Sequence, residues 1–252
     1  MKRLVIGLLL NLLSLYGAPS AAESLTVAVA ANVQFAFNDL KTAFTKETGI
    51  EVESIVGSSG KIAAQVKGGA PFDVFLSADM DYPHTLYKDG LAAGLPAIYA
   101  YGTLVLWTFA DLDLAPGLEV LGNNRVRKIA LPNPRLAPYG REAMRALAHY
   151  KLDNAVRSKL VLGESIAQVN QYVDSRAVDA GFTAKSVVLS PALRGRGRWI
   201  DVPKNSYTPI AQGVVILKHG QDTHPTAAGR FVRYLSSAPA RTILERYGYG
   251  LP

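Results

Sequence analysis

The chain has 252 residues, no cysteine and a formal charge of +7 at neutral pH. That length can bury one large core or two smaller ones, and the lack of cysteine excludes disulfides, thiolate metal sites and an acylated lipoprotein anchor. Two of the positive charges, Lys2 and Arg3, precede an apolar run over 4–15 and a small-residue stretch ending in Ser20, Ala21 and Ala22. That order reads as an export signal cut near Ala22, since a bilayer span needs about 20 apolar residues and this run is shorter. The expectation is a periplasmic chain, mildly basic, with no membrane insertion after cleavage. Nucleic-acid binding would need a clustered basic stripe. The one tight cluster, Arg194, Arg196 and Arg198 in a glycine-rich turn, reads as a solvated loop.

Past the leader, short apolar runs alternate with helical periodicity. Residues 25–29 predict a strand, 35–44 place apolar side chains at helical spacing, and Gly49 stops that helix. A strand over 50–56, a helix from Ser58 and Ser59 to about Lys67, and a strand over 72–76 complete a β-α-β-α-β unit. Such a unit calls for a mostly parallel sheet with helices on both faces, binding ligands beyond the carboxyl ends of its strands. Strands are expected at 103–108, 128–131, 179–183 and within 207–217. Helices are expected at 140–149, 165–173, 227–235 and 238–246. No segment repeats at a fixed period. The simplest reading is an α/β protein of two lobes, the second inserted into the first, with a ligand held between them.

Two strand-to-helix junctions place small polar residues where a helix begins. Ala30, Ala31 and Asn32 end the first strand, with Asn32 where an N-cap would sit. Gly57, Ser58, Ser59 and Gly60 do the same after the second, with Lys61 following. A helix N-terminus offers unpaired N–H groups and a dipole worth ~0.3–2 kcal/mol to an oxyanion, and each hydrogen bond to a charged acceptor adds about 1.5–3 kcal/mol. Several such donors can hold a dianion with no lysine or arginine in contact. Taken singly, each junction is also what plain helix capping requires, since Asn and Ser are preferred caps in any protein.

Other chemistries fit these residues less well. A phosphate loop needs G-x-x-x-x-G-K-[ST]; here the glycines are too close and Ile62 replaces the magnesium-binding hydroxyl. The segment is no nucleophile elbow either. His84, His149, His219 and His224 make no H-E-x-x-H or comparable pair, so no metal site is expected. Asp73, Asp79 and Asp81 are better explained by caps and turns than by acid–base work, and Tyr247 and Tyr249 by packing than by iron ligation.

In combination these segments resemble the molybdate-binding proteins that serve ABC importers, over nearly the whole mature chain. The resemblance is carried by VAVAAN at 27–32, VGSSGK at 56–61, GAPFDVFLSAD at 69–79, Asn133 and Pro134 with APYG at 137–140, GFTAKS at 181–186, PIAQG at 209–213 and YGY at 247–249. It implies the type II periplasmic binding-protein architecture, two α/β lobes with mixed sheets and crossing segments near Tyr101 and Tyr207. The implied division is a signal peptide at 1–22, a first lobe from 23–100 and 207–252, and an inserted second lobe at 101–206.

The resemblance also assigns side-chain and backbone donation to Asn32 and Ser59, and backbone donation to Tyr139 and Ile166. One branch of the family has serine where this chain has Asn32 and a tyrosine donor where it has Ala184, so the chain resembles the asparagine branch. Ala31 is a departure, because a relative has a hydroxyl residue there. The implied ligand is molybdate or tungstate, with no further cofactor and no metal beyond the molybdenum or tungsten of the ion. The implied partner is the membrane permease of an ABC importer, with the chain a monomer and no nucleic acid bound. Three alternatives stand beside this: the same fold for another tetrahedral oxyanion such as sulfate, an exported serine hydrolase using Ser59, and a DNA- or surface-binding protein using the Arg194 to Arg198 turn.

Overall fold

The computed structural model describes residues 24–252, so the leader expected over 1–22 lies outside the described residues. The first sheet begins with β1 (Ser24–Ala30), β2 (Glu51–Gly57) and β3 (Val74–Ser77), parallel neighbours in the order β2-β1-β3. Successive side chains of a strand point to opposite faces, and β1 uses both. Val27 and Val29 pack on Phe37, Leu40 and Phe44 of α1 (Gln34–Thr48), while Ala28 packs on Ile62 and Val66 of α2 (Ser59–Lys67). This two-sided burial is why the strand reads as an unbroken apolar run. Gly49 ends α1 at φ 73°, its N–H bonded to the Thr45 carbonyl at 2.8 Å, as a left-handed helix cap requires.

After α3 (Asp81–Lys88) and β4 (Ala97–Gly102) the chain leaves this sheet, and only Thr103 separates β4 from β5 (Leu104–Thr108) of a second sheet. That sheet is built from β6 (Ile129–Pro132), β7 (Leu160–Gly163), β8 (Ala180–Ala184) and β9 (Arg198–Asp201) together with β5, in the order β7-β6-β8-β5-β9. Its helices are α4 (Pro138–His149), α5 (Asp153–Val156), α6 (Ile166–Asp174) and α7 (Lys185–Val188). The chain then returns to the first sheet as β10 (Ile210–Ile216), followed by α8 (Lys218–Thr223), α9 (Pro225–Tyr234) and α10 (Ala238–Arg246). The completed first sheet runs β2-β1-β3-β10-β4, with β10 antiparallel to both neighbours. In the second sheet β5 is the antiparallel member, so both sheets are mixed on one plan.

The strands and helices expected from the sequence are present, with ends shifted by a few residues. Those not foreseen are α3, α5, α7, α8, β4, β7 and β9. Strands β7 and β9 are half exposed and lack a clean alternation, and Pro83 in α3 reads as a breaker although it lies in the first turn, where its missing N–H costs nothing. The Arg194 to Arg198 turn is tied to its own surroundings: Arg196 pairs with Asp174 at 2.7 Å and Arg198 with Asp111 at 3.1 Å. Among the described residues no helix is long and apolar enough to cross a membrane.

Candidate functional site

The carboxyl ends of the parallel strands in the two sheets face one another, and four βα junctions meet there. Asn32 lies between β1 and α1, Ser59 follows β2, Tyr139 is the second residue of α4 after β6, and Ile166 follows β7. All four line one cavity of about 10 Å³, together with Ala30, Ala31, Ser58, Ala78, Ala137 and Pro138. Every one of these residues is buried, and none is charged.

At each junction the backbone N–H is left without a partner among the described residues. The reason is local in each case. Ser59 and Ile166 are the first residues of their helices and Tyr139 the second of its own, where no preceding carbonyl is in reach. Asn32 sits in a tight turn in which Ala31 donates to the Gly57 carbonyl (2.9 Å) and Val33 to that of Ala30 (3.0 Å).

The side chain departs from the sequence expectation at one of these positions. Asn32 is not the cap of α1; that place is taken by Val33, with no side-chain cap bond. Its Nδ2 donates to Gln212 Oε1 at 2.7 Å and Tyr249 Oη at 3.0 Å, so both amide hydrogens are engaged inside the protein. Its backbone carbonyl accepts from Ser186 Oγ (2.7 Å) and Tyr249 Oη (3.0 Å), while its side-chain Oδ1 is buried without a partner among the described residues. The free donor at Asn32 is therefore the backbone N–H, and the side chain acts as a strut.

At the second junction Ser58 is the cap, its Oγ accepting from the Lys61 N–H at 3.4 Å. Ser59 Oγ is thereby released, and it accepts from the Ala78 N–H at 2.9 Å. A hydroxyl whose lone pair is so occupied keeps its own hydrogen to give. Tyr139 presents backbone only, because its phenol runs away to Gly102, where a Cβ would lie 2.0 Å from Oη. Burial, then the neighbouring Tyr249, Tyr99 and Tyr207, pushes that phenol's pKa well above 10 and keeps it neutral.

Several contacts draw the two sides together around the cavity. The Gly60 N–H donates to the Leu136 carbonyl at 2.8 Å, Tyr82 Oη to that of Arg135 at 3.2 Å, and Lys61 pairs with Glu164 at 2.8 Å on the surface. Arg141 reaches from α4 to Asp79 and Asp81, and its guanidinium lies 5.7 Å from the Tyr82 ring centre. Burial raises the pKa of Asp79 above 3.8 despite Arg141; on Arg141 burial is the largest single influence and acts downward, but Asp79, Tyr82 and Asp81 together raise its pKa. The attraction is common to both partners; what differs is that the carboxylate loses more water than the guanidinium.

The residues that sequence reasoning missed are Gln212, Ser186 and Tyr249, which hold Asn32. Tyr249 was read as packing. It is buried, but its hydroxyl bonds Asn32 and Ser186, and the only available signal was the apolar setting of PIAQG and YGY, which names no partner. Trp107 and Trp199 pair across β5 and β9 and do not line the cavity. No histidine lines it either, so Ser59 has no base beside it and the hydrolase alternative has no machinery there.

Two mixed α/β sheets whose helix starts converge on a buried cavity of neutral donors define the class of a solute-binding protein. The sequence from 25 to 250 matches the family model of the bacterial extracellular solute-binding proteins. The molybdate-binding protein ModA of Azotobacter vinelandii is 40% identical over 253 residues, covering 100% of this chain and 98% of its own, and ModA of Rhodobacter capsulatus is 34% identical over 92% and 90%. The solved periplasmic molybdate-binding protein of Azotobacter vinelandii superposes with a TM-score of 0.85 at 35% identity, over 90% of this chain and 99% of that one. The chain belongs to the bacterial extracellular solute-binding proteins and, within them, to the ModA family.

Proposed function

We propose that this chain captures molybdate, and tungstate with it, in the cavity between the sheets and delivers it to the membrane permease of an ABC importer. It acts as a periplasmic monomer after removal of residues 1–22. The observation that carries the reading is the convergence of four unpaired backbone N–H groups and the Ser59 hydroxyl on one small cavity with buried walls and no charged residue. A set of hydrogen-bearing groups suits an ion that is fully deprotonated at neutral pH. The names of the relatives point to molybdate. Asn32, Ser59, Tyr139 and Ile166 are the proposed ligand-binding residues, with the chain in the asparagine branch of the family.

The proposed lobes are 23–100 with 207–252, and 101–206. The crossings fall near Tyr101 and Tyr207, and the Leu104 N–H bonds Tyr207 Oη at 3.2 Å, pinning one crossing to the other. Rotation about these crossings would open the cleft. Calorimetric titration of the mature chain tests the function. Molybdate and tungstate should each bind once per chain, and sulfate, too small to reach every donor, should be weaker by about 10- to 150-fold for each charged hydrogen bond it forgoes. Phosphate, which carries a proton, should be weaker too. Sulfate bound as tightly as molybdate would replace this reading with the sulfate one.

A further inference from the structure

At the opposite end of the first sheet the chain assembles a cluster that the sequence did not foretell. Asp73 immediately precedes β3, and the four residues of β3 separate it from Ala78 at the cavity, five steps of extended chain or about 17 Å. Its carboxylate is 1% exposed. Oδ2 is fixed by the Thr26 N–H at 2.7 Å, and both His219 Nδ1 (2.9 Å) and His224 Nδ1 (3.0 Å) converge on Oδ1. The approach depends on Gly220, where a Cβ would lie 2.4 Å from the Asp73 carbonyl oxygen. The expectation that the four histidines form no group fails here, because the third member lies 146 residues away from His219 in sequence.

We infer that Asp73, His219 and His224 form a binding site for a divalent transition-metal ion of the zinc class, separate from the oxyanion cavity. The three donor atoms lie within 4.8 Å of one another. Zinc takes nitrogen and carboxylate oxygen at about 2.0–2.2 Å, and accepts three protein ligands with water completing the shell. Ligands at those lengths around a tetrahedral ion stand about 3.3 Å apart, a few tenths of an ångström beyond the two histidine–carboxylate pairs, and the ion takes the place of the two N–H hydrogens once the Nδ1 atoms, within 4.8 Å of each other, settle at that spacing.

The imidazoles are 36% and 35% exposed, which leaves the ion a path from solvent and room for water. Thr223 Oγ1 gives its hydrogen to the His219 carbonyl at 2.7 Å and turns lone pairs toward both Nδ1 atoms, at 3.4 and 3.2 Å. The Thr26 N–H is the outer partner that orients the carboxylate. An imidazole and carboxylate set without thiolate suits zinc, nickel, cobalt or copper over calcium or magnesium.

The alternative is that the two histidines only tie α8 and α9 to the sheet. Titration of the untagged mature chain with zinc chloride separates the two. One zinc per chain is expected, with His219→Gln and His224→Gln each weakening it by at least ~10- to 100-fold, since a lost ligand costs no less than a lost outer partner. Glutamine can still donate to Asp73, and unchanged molybdate titration of the variants shows that they fold. Should they not fold, the parent is read directly: cobalt(II) bound at the triad gives visible bands of reduced coordination and increased intensity, whereas the spectrum of the aquated ion overturns the site. No zinc uptake by the parent, or parental uptake by the double variant, overturns it equally.

Discussion

The two sheets are built on one plan, three parallel strands followed by an antiparallel fourth, and each sends the same two βα junctions to the cleft. In the first sheet these junctions carry Asn32 and Ser59, one a strut bonded to Gln212 and Tyr249, the other a hydroxyl held by the Ala78 N–H. In the second they carry Tyr139 and Ile166, whose side chains take no part and whose N–H groups are free because a helix begins there. The lesson is that one wall of the site is written in residue type and the other in backbone position. Substitutions on the first wall should act through chemistry. On the second wall only a change to the N–H itself should matter.

The largest effect is expected at Ser59. Ser59→Ala removes one donor to the ion and should cost about 1.5–3 kcal/mol, or ~10- to 150-fold in affinity. Ser59→Asp should abolish measurable binding, because it also sets a negative charge against the anion in a dehydrated cleft. Ser58, and not Ser59, caps α2, so the helix keeps its cap in both variants, and an acidic residue in the first turn favours the helix dipole. Calorimetry with thermal melting checks this. An aspartate variant that binds like the parent would remove Ser59 from the site.

Ile166 tests the other wall. Ile166→Val should leave affinity within about threefold, while Ile166→Pro deletes the N–H and should cost about 10- to 150-fold, the worth of one charged hydrogen bond. Proline suits the first position of a helix, and Ser165 before it is extended at φ −146°, ψ 173°, as proline demands of its neighbour. Some packing is lost with the buried isoleucine, so circular dichroism accompanies the titration. Equal affinities for the valine and proline variants would show that the backbone here is no donor.

The same contrast explains what the sequence could convey. Alternation of apolar runs and helical periods made both sheets legible, and the strand ends with small polar residues pointed to Asn32 and Ser59. Tyr139 and Ile166 came only from the family resemblance, since a free N–H at a helix start leaves no trace in residue type. Capping was assigned to the wrong residue at the first junction, where cap preference could not foresee that Gln212 and Tyr249, far along the chain, engage the Asn32 amide, and at the second it could not tell Ser58 from Ser59. The Asp73, His219 and His224 group was illegible for the same reason.

Between the walls, Gly60 marks a close approach of backbone to backbone, its N–H donating to the Leu136 carbonyl oxygen at 2.8 Å. A Cβ there would stand 2.6 Å from Tyr82 Oη and 2.9 Å from the Leu136 carbonyl oxygen across the cleft. Alanine is also the better helix former, by about 0.5–1 kcal/mol. Gly60→Ala should therefore melt no lower than the parent without ligand, yet bind the ion about tenfold less tightly, within the ~1–3 kcal/mol typical of overpacking. Parental affinity would mean that the cleft does not need to close this far to hold its ligand.

The smallest effect is expected at Asp79, where stability and binding should move in opposite directions. Burial raises the Asp79 pKa in the folded protein above 3.8, so the folded state takes up this proton at a higher pH than the unfolded chain. Above both values the ionised group subtracts from stability, and acidification through the folded pKa relieves that cost. Asparagine carries no such charge at any pH and can still accept from Ser77 Oγ and the Tyr82 N–H, which Asp79 Oδ1 meets at 3.0 and 3.3 Å. Ligand-free Asp79→Asn should thus melt within about 2 °C of the parent and on the upper side at pH 7, the difference closing as the pH falls. Binding should weaken, because Arg141 of the second wall loses the buried partner that helps hold the cleft shut and keeps only exposed Asp81 at 3.3 Å. The loss should be about 0.5–1.5 kcal/mol, or ~2- to 10-fold. Melting curves across pH and titration at pH 7 read the two effects separately. A variant that melts lower and binds like the parent would make the pair a brace for the fold and leave closure to the Gly60 contact.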